Sequence, residues 1–282
     1  MNRIFYEIII NEESYGIDFE EEFKDMLLNF DDCSDDSTDD DAKDSISLRP
    51  CFVDIVLCID VTSGMGIVLS RVKKFALDFY DDVITNARKR HKDIKQLRVK
   101  VIAFRDYYWD GPHAMEESKF FILPKKKREF NDFVSLLEAK GGGDEPENAL
   151  EAIALAMNSD WVIPINAYEI ARNIIVVFTD ASAHPLEKSA EVISEYYPID
   201  MLGNYIELVD AWQGSAALGG YDKSEEYIMN PYAKRMIVYA PCGAEPWDDL
   251  EEDLEMMIMN DIKDLTSEKF LSDINSAIIE RI

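Results

Sequence analysis

Two apolar runs in this chain end in aspartate. The first, FVDIVLCID (52–60), closes on Asp60 and is followed by Val61, Thr62, Ser63, Gly64 and Met65. The second, RNIIVVFTD (172–180), closes on Thr179 and Asp180. A third acid, Asp144, stands in the stretch Gly141-Gly142-Gly143-Asp144-Glu145-Pro146. Any one of these acids alone reads as a helix N-cap or a solvated loop residue. Three carboxylates and the Thr62 hydroxyl converging on one sheet edge would instead make an all-oxygen site. Hard oxygen ligands without His or Cys select Mg²⁺, Mn²⁺ or Ca²⁺. The three glycines let the backbone that carries Asp144 approach the other two acids closely.

The elements around these residues must place them together. The near-continuous apolar character of 52–60 and 172–180 predicts parallel strands buried on both faces. Helical periodicity runs through 66–90 on Val68, Leu69, Val72, Phe75, Phe79 and Val83. LRVKVIAFRDY (97–107) starts as an alternating strand, and KFFIL (119–123) is expected to be its antiparallel edge neighbour across a turn at Asp110-Gly111-Pro112. Helices are expected over 127–139 and 186–196, and the glycine-rich loop should open another, with Pro146 at or near its first turn. Residues 198–232 give no clear pattern. KRMIVYAP (234–241) reads as a strand, PWDDLEEDL as a short helix, EMMIMN as a last strand and 267–281 as a closing helix. Strands alternating with helices imply right-handed crossovers. The expected fold class is α/β, with a doubly wound, mostly parallel six-stranded sheet flanked by helices and one antiparallel edge strand. In such a sheet, ligands bind beyond the carboxyl ends of the strands where strand order reverses.

The 282 residues are 47% hydrophobic and 11% aromatic, enough for one large domain with a proper core. Acids number 57 against 29 lysines and arginines, for a formal charge of −28. That field repels phosphate backbones and anionic lipid, so nucleic-acid and membrane partners are not expected. No apolar run approaches a membrane span and the N-terminus lacks a signal pattern, which gives a cytoplasmic expectation. Cys33, Cys51, Cys58 and Cys242 form no C-x-x-C pair and read as reduced thiols. Residues 12–44 hold 15 acids and two lysines. Within 1–30, Phe19, Phe23, Met26, Leu27 and Phe30 recur at helical spacing among acids, giving an amphipathic acidic helix that packs on its own domain or is offered to a partner groove. Residues 31–50 are expected to be an acidic flexible linker, and 51–282 the folded domain.

Other chemistries lack their signatures. There is no GxxxxGK[ST] loop, no GxGxxG after a strand, no GxSxG and no HExxH. His91, His113 and His184 are not spaced as a zinc pair. The basic run KKKR (125–128) reads as a solvated face.

The ordered motifs resemble a known family. Asp60-x-Thr62 is similar to the first motif, D-x-[ST]-x-S, of von Willebrand factor type A domains that carry a metal-ion-dependent adhesion site. Gly142-Gly143-Asp144, with Ala149-Leu150 following, is similar to the second, and places Asp144 where the family has threonine. Thr179-Asp180 is similar to the third. AFRDYYWD (103–110), GGGDEPENAL (141–150) and FTDASAHP (178–185) together resemble the intracellular branch fused to alpha-kinases; this chain has no kinase domain. The resemblance covers about residues 51–282. It departs at Gly64, where the family's second serine would stand. Ser63, one position earlier, is the nearest substitute.

The resemblance implies a non-catalytic protein–protein interaction module. Its metal ligands would be Asp60, Thr62, Asp144 and Asp180, with Ser63 in reserve, and its cofactor Mg²⁺, Mn²⁺ or Ca²⁺. A partner's Asp or Glu would complete the coordination, and Met65, Glu145 and His184 would form the partner-binding rim. The partner classes implied are an AAA-type ATPase, a kinase or a phosphatase, in a regulatory or assembly role within a stress or defence system. Two alternatives stand beside it. One is a structural interaction protein with a degenerate metal site. The other is a metal-dependent phosphatase of haloacid-dehalogenase-like type, which needs a second aspartate where Thr62 stands.

Overall fold

The structure is a computed structural model that describes residues 49–89, 93–143, 145–186, 195–214 and 227–279. The expected acidic helix, nearly all of the expected linker, most of the helix expected at 186–196, and Asp144 lie outside the described residues. Those described fall in one unit, Ser47–Ile282.

Seven strands form one sheet: β1 (Pro50–Asp60), β2 (Asp93–Phe104), β3 (Met115–Glu117), β4 (Phe121–Leu123), β5 (Ile170–Phe178), β6 (Lys234–Ala240) and β7 (Met257–Asp261). β1 lies between β2 and β5, and β6 and β7 follow β5, all parallel. The far edge of β2 carries β3 and β4, both antiparallel to it. The expected KFFIL pairing is present, with Leu97 opposite Leu123 and Val99 opposite Phe121. The difference from six strands is that this edge is split. Ser118 interrupts it: its N–H donates to the Val101 carbonyl and its hydroxyl accepts from Val101 N–H, both at 2.9 Å. One side chain thus takes over a backbone place in the ladder.

Seven helices among the described residues flank the sheet: α1 (Gly66–Lys89), α2 (Tyr107–Asp110), α3 (Lys127–Leu136), α4 (Ala149–Met157), α5 (Tyr205–Gln213), α6 (Trp247–Asp253) and α7 (Ser267–Ile279). Side chains alternate across a strand, so each strand feeds two cores. Val53, Ile55, Leu57 and Ile59 of β1 face one core with Phe79 of α1, Phe130 of α3 and Phe270 of α7. Val56 and Cys58 face the other, with Ile153 of α4, Trp212 of α5 and Trp247 of α6. Helix α5 occupies the stretch that gave no clear pattern. Helix α4 starts at Ala149, three residues after Pro146, so the proline precedes the helix instead of opening it. Among the described residues no helix is long and apolar enough to cross a membrane.

This order positions the site. The chain leaves β1 for β2 on one side and returns to β5 on the other, so strand order reverses at β1. The carboxyl ends of β1 and β5 are adjacent there, with Ile59 opposite Phe178. A crevice at that point is what a doubly wound sheet offers a ligand.

Candidate functional site

Asp60 ends β1 and is fully buried. Its Oδ1 accepts the Thr62 N–H at 2.8 Å, and its Oδ2 accepts the Thr179 hydroxyl at 2.8 Å. Thr179 also accepts the Ala181 N–H at 3.1 Å, which turns the chain after β5. Burial pushes the Asp60 carboxyl up to about 6, against the pull of Thr62 and Thr179, and the nearby Asp180 adds to the rise. Burial likewise raises Asp180, its own amide opposes this, and Glu145 adds to it. The Asp180 carboxylate lies against Gly64: a Cβ there would fall 2.8 Å from its Oδ2.

The glycine-rich loop closes over this edge. Lys140 N–H donates to the Val61 carbonyl at 2.9 Å, and Ser63 donates to Gly141 O from its amide at 3.2 Å and its hydroxyl at 2.9 Å. Gly141 and Gly142 have φ of 81° and 71°, the left-handed region that favours glycine. A Cβ on Gly142 would stand 3.1 Å from Thr62 Cβ and 2.7 Å from Glu147 Oε1. Gly142 N–H donates to Asp110 Oδ2 at 2.9 Å.

The sequence reading missed the residues that hold this loop. Buried Arg105 donates from Nε to the Lys140 carbonyl at 2.8 Å, and from Nη1 to the His113 carbonyl at 2.7 Å and to Glu116 at 3.1 Å. Asp106 caps α2 through the Tyr108 and Trp109 amides, and its Oδ2 lies 2.7 Å from Nε2 of His184. Burial opposes its ionisation, but His184 and the amides outweigh that and hold the carboxyl below its usual range. Asn148 Oδ1 accepts the Tyr107 N–H at 2.7 Å, and Glu147 N–H donates to Ser182 O at 3.0 Å. The three stretches singled out in the sequence are therefore tied into one another. The signal was their shared polar content, Arg105-Asp106, Glu147-Asn148 and His184, flanking apolar runs.

The expected ligand residues divide accordingly. Asp60, Thr62 and Asp180 meet at the β1–β5 edge. Ser63 is there too, with its hydroxyl hydrogen committed to Gly141. Two rim residues need correction. Met65 is fully buried, because the turn after Asp60 directs it into the core beneath α1. His184 is buried, because Asp106 draws it inward. Glu145 is exposed and acts on Asp180.

Among the described residues no group of three His, Cys, Asp or Glu side chains is arranged to hold a metal ion. A magnesium-like ion asks less than that. It keeps several waters and is bound through one or two carboxylates. The adjacent Asp60 and Asp180 carboxylates and the Thr62 hydroxyl, beside a loop whose glycine admits no side chain, fit such an ion.

The family model for the von Willebrand factor A domain matches residues 54–197, just over half of the chain. Among solved structures, the pilus adhesin SpaC from Lactobacillus rhamnosus GG is similar at 14% identity and a TM-score of 0.45, covering 83% of this chain and 31% of that one. A von Willebrand factor type A structure from Catenulispora acidiphila is similar at 13% identity and a TM-score of 0.43, covering 79% of this chain and 41% of that one. The chain thus spans less than half the length of either. No curated protein matches it.

Proposed function

We propose a binding function for this chain, which belongs to the von Willebrand factor A domain family. In this reading it is a non-catalytic, metal-dependent protein–protein interaction module. Asp60, Thr62 and Asp180 would hold a divalent cation, Mg²⁺ or Mn²⁺ foremost, with Asp144 as a fourth candidate from the sequence. The cation supplies an electrophilic position that a partner's Asp or Glu carboxylate can occupy. The chain's own residues do the rest. Thr179 and the Thr62 amide fix the Asp60 carboxylate, the 140–143 loop covers it, and Glu145 stands at the exposed margin. A regulatory or assembly subunit working with an ATPase, kinase or phosphatase is the role this chemistry suits.

One observation supports the reading above others: two carboxylates from neighbouring strand ends sit together at the point where strand order reverses. Asp106, paired with His184, is buried and caps α2, which favours binding over catalysis. A second reading, an interaction protein with a degenerate metal site, draws on Gly64, which brings no oxygen to the site.

Thermal melting and calorimetry with Mn²⁺ separate the two. Binding to the native state raises stability by linkage, about 2.7 kcal/mol at an ion concentration of 100 times Kd. Wild type should therefore melt higher in millimolar Mn²⁺ than in EDTA, and Asp60→Ala should not respond. No response from wild type would leave the degenerate-site reading.

A further inference from the structure

Helix α2 presents to solvent two aromatic side chains that its packing does not use. Tyr107 anchors the helix: it is buried, its amide donates to Asn148 Oδ1 and its ring meets Tyr197 edge-on. Tyr108 and Trp109 are 61% and 56% exposed and belong to neither core. They are nonetheless held in place. Asp106 accepts both of their amides, and Asp110 accepts the Gly142 amide and so ties α2 to the glycine-rich loop. The two rings meet at 88° with centroids 5.0 Å apart. The root of the indole rests on Gly143, where a Cβ would fall 2.1 Å from both Cγ and Cδ2. Gly143 is not in the left-handed region, so the indole and not the backbone calls for glycine there. Exposed tryptophan and tyrosine that are fixed beforehand lose little freedom on binding, and residues of these two types dominate the anchors of protein interfaces.

The charge around the pair is acidic. Arg105 and Lys140, the cations bound to this loop, are already matched by Glu116 and Glu138. Asp110 and the exposed Glu145 remain in surplus, in a chain of formal charge −28. We propose that Tyr108 and Trp109 form a docking surface for an arginine side chain of a protein partner. A cation is drawn to the face of an indole or phenol ring. The guanidinium is planar and weakly hydrated, so it stacks there better than an ammonium does. The surplus acids steer it toward the rings. The proposal rests on the reading of the chain as an interaction module but not on its cation, since the contact needs no metal. It adds to the partner's carboxylate a second requirement on the partner's sequence.

The test is nuclear magnetic resonance of the nitrogen-15-labelled full chain, titrated with N-acetylarginine amide in EDTA and again in Mg²⁺. The indole N–H groups of Trp161, Trp212 and Trp247 donate inside the protein, to the Met157, Glu255 and Ala181 carbonyls, and serve as references. The Trp109 indole and Gly143 amide signals should shift to saturation in both buffers while the references stay in place. N-acetylcitrulline amide keeps the shape without the charge and should bind about two- to fivefold more weakly, the scale of an exposed cation–π contact. Tyr108→Leu should weaken arginine binding by a similar factor, and in Trp109→Leu the Gly143 amide should no longer respond. Circular dichroism establishes folding, and should Trp109→Leu fail to fold, Tyr108→Leu decides. No shift, a shift shared by the references, an equal response to citrulline, tighter binding of N-acetyllysine amide, or an unchanged response in Tyr108→Leu would each overturn the proposal. Binding of wild type to neutral phosphatidylcholine vesicles, lost in Trp109→Leu, would assign the pair to a lipid surface and overturn it as well. Melting that does not respond to divalent metal, with the arginine response intact, removes the metal reading alone and supports this one.

Discussion

The Thr179 hydroxyl donates to Asp60 Oδ2 at 2.8 Å, joining residues 119 positions apart at the ends of neighbouring strands. Both side chains are buried. Thr179→Val keeps the shape and removes the donor, so a buried carboxylate oxygen loses a partner. Such a loss costs about 1–3 kcal/mol. Urea unfolding in EDTA should show that decrease. A change under about 0.3 kcal/mol would mean that water replaces the hydroxyl without cost.

The raised carboxyl of Asp60 gives a pH dependence. Its folded value is about 6 against an ordinary 3.8. A carboxyl raised on folding contributes stability that is fully present below its unfolded value and is lost as pH rises through the folded one. The window therefore runs from about pH 3.8 to about 6. In EDTA, the stability of wild type relative to Asp60→Asn should fall across that window, by at most about 3 kcal/mol for a shift of roughly two units. A flat difference between the two proteins would show that Asp60 does not titrate there.

Arg105 carries a different kind of load. It joins the end of β2 to the carbonyls of Lys140 and His113, and to Glu116, from a buried position. Arg105→Met should cost about 3 kcal/mol, as breaking a buried charged network does. Arg105→Lys should rescue little, since an ammonium cannot span the same fork of acceptors. Hydrogen exchange should report the loss at 138–143 before any change in β1 or β5. Uniform deprotection would contradict a local role.

The strands that end in Asp60 and Asp180 were legible because burial on both faces leaves an unbroken apolar run, which few other structures need. The antiparallel edge was legible from alternation and a turn. Its division at Ser118 was not, because a serine hydroxyl replacing a ladder partner leaves no periodic trace. Helix α5 was hidden for a related reason. Six of its nine residues are apolar, so its buried face of Leu208, Ala211 and Trp212 does not stand out from the exposed Ile206, and its Asn204 cap sits among other turn-forming residues. At the site, residue type pointed to Asp60, Thr62 and Asp180, because acids and a hydroxyl at strand ends stand out against apolar runs. Type could not place Met65 or His184. Whether a residue beside a cleft faces outward depends on the turn angle after Asp60 and on the pull of Asp106. Arg105 was overlooked because an arginine beside a strand end reads as surface until its acceptors are known.

Gly142 offers the sharpest test of how the loop is built. Its φ is 71°, and an added Cβ would stand 3.1 Å from Thr62 Cβ and 2.7 Å from Glu147 Oε1. Alanine therefore meets two separate costs: about 1 kcal/mol or more for a side chain in the left-handed region, and the displacement of a buried glutamate. The Glu147 carboxylate is a side-chain tip that must shift within a buried site, while its backbone stays tied to Ser182 and His184. Thr62 cannot yield without disturbing the amide that holds Asp60. Gly142→Ala should lose about 2–4 kcal/mol in urea unfolding, since backbone strain and overpacking add. Gly66→Ala is the matched control. A Cβ there meets nothing within 4 Å, it lies in helix α1, and alanine should be neutral or slightly stabilising. If both variants unfold at the same urea concentration as wild type, the loop does not close over Thr62 in solution.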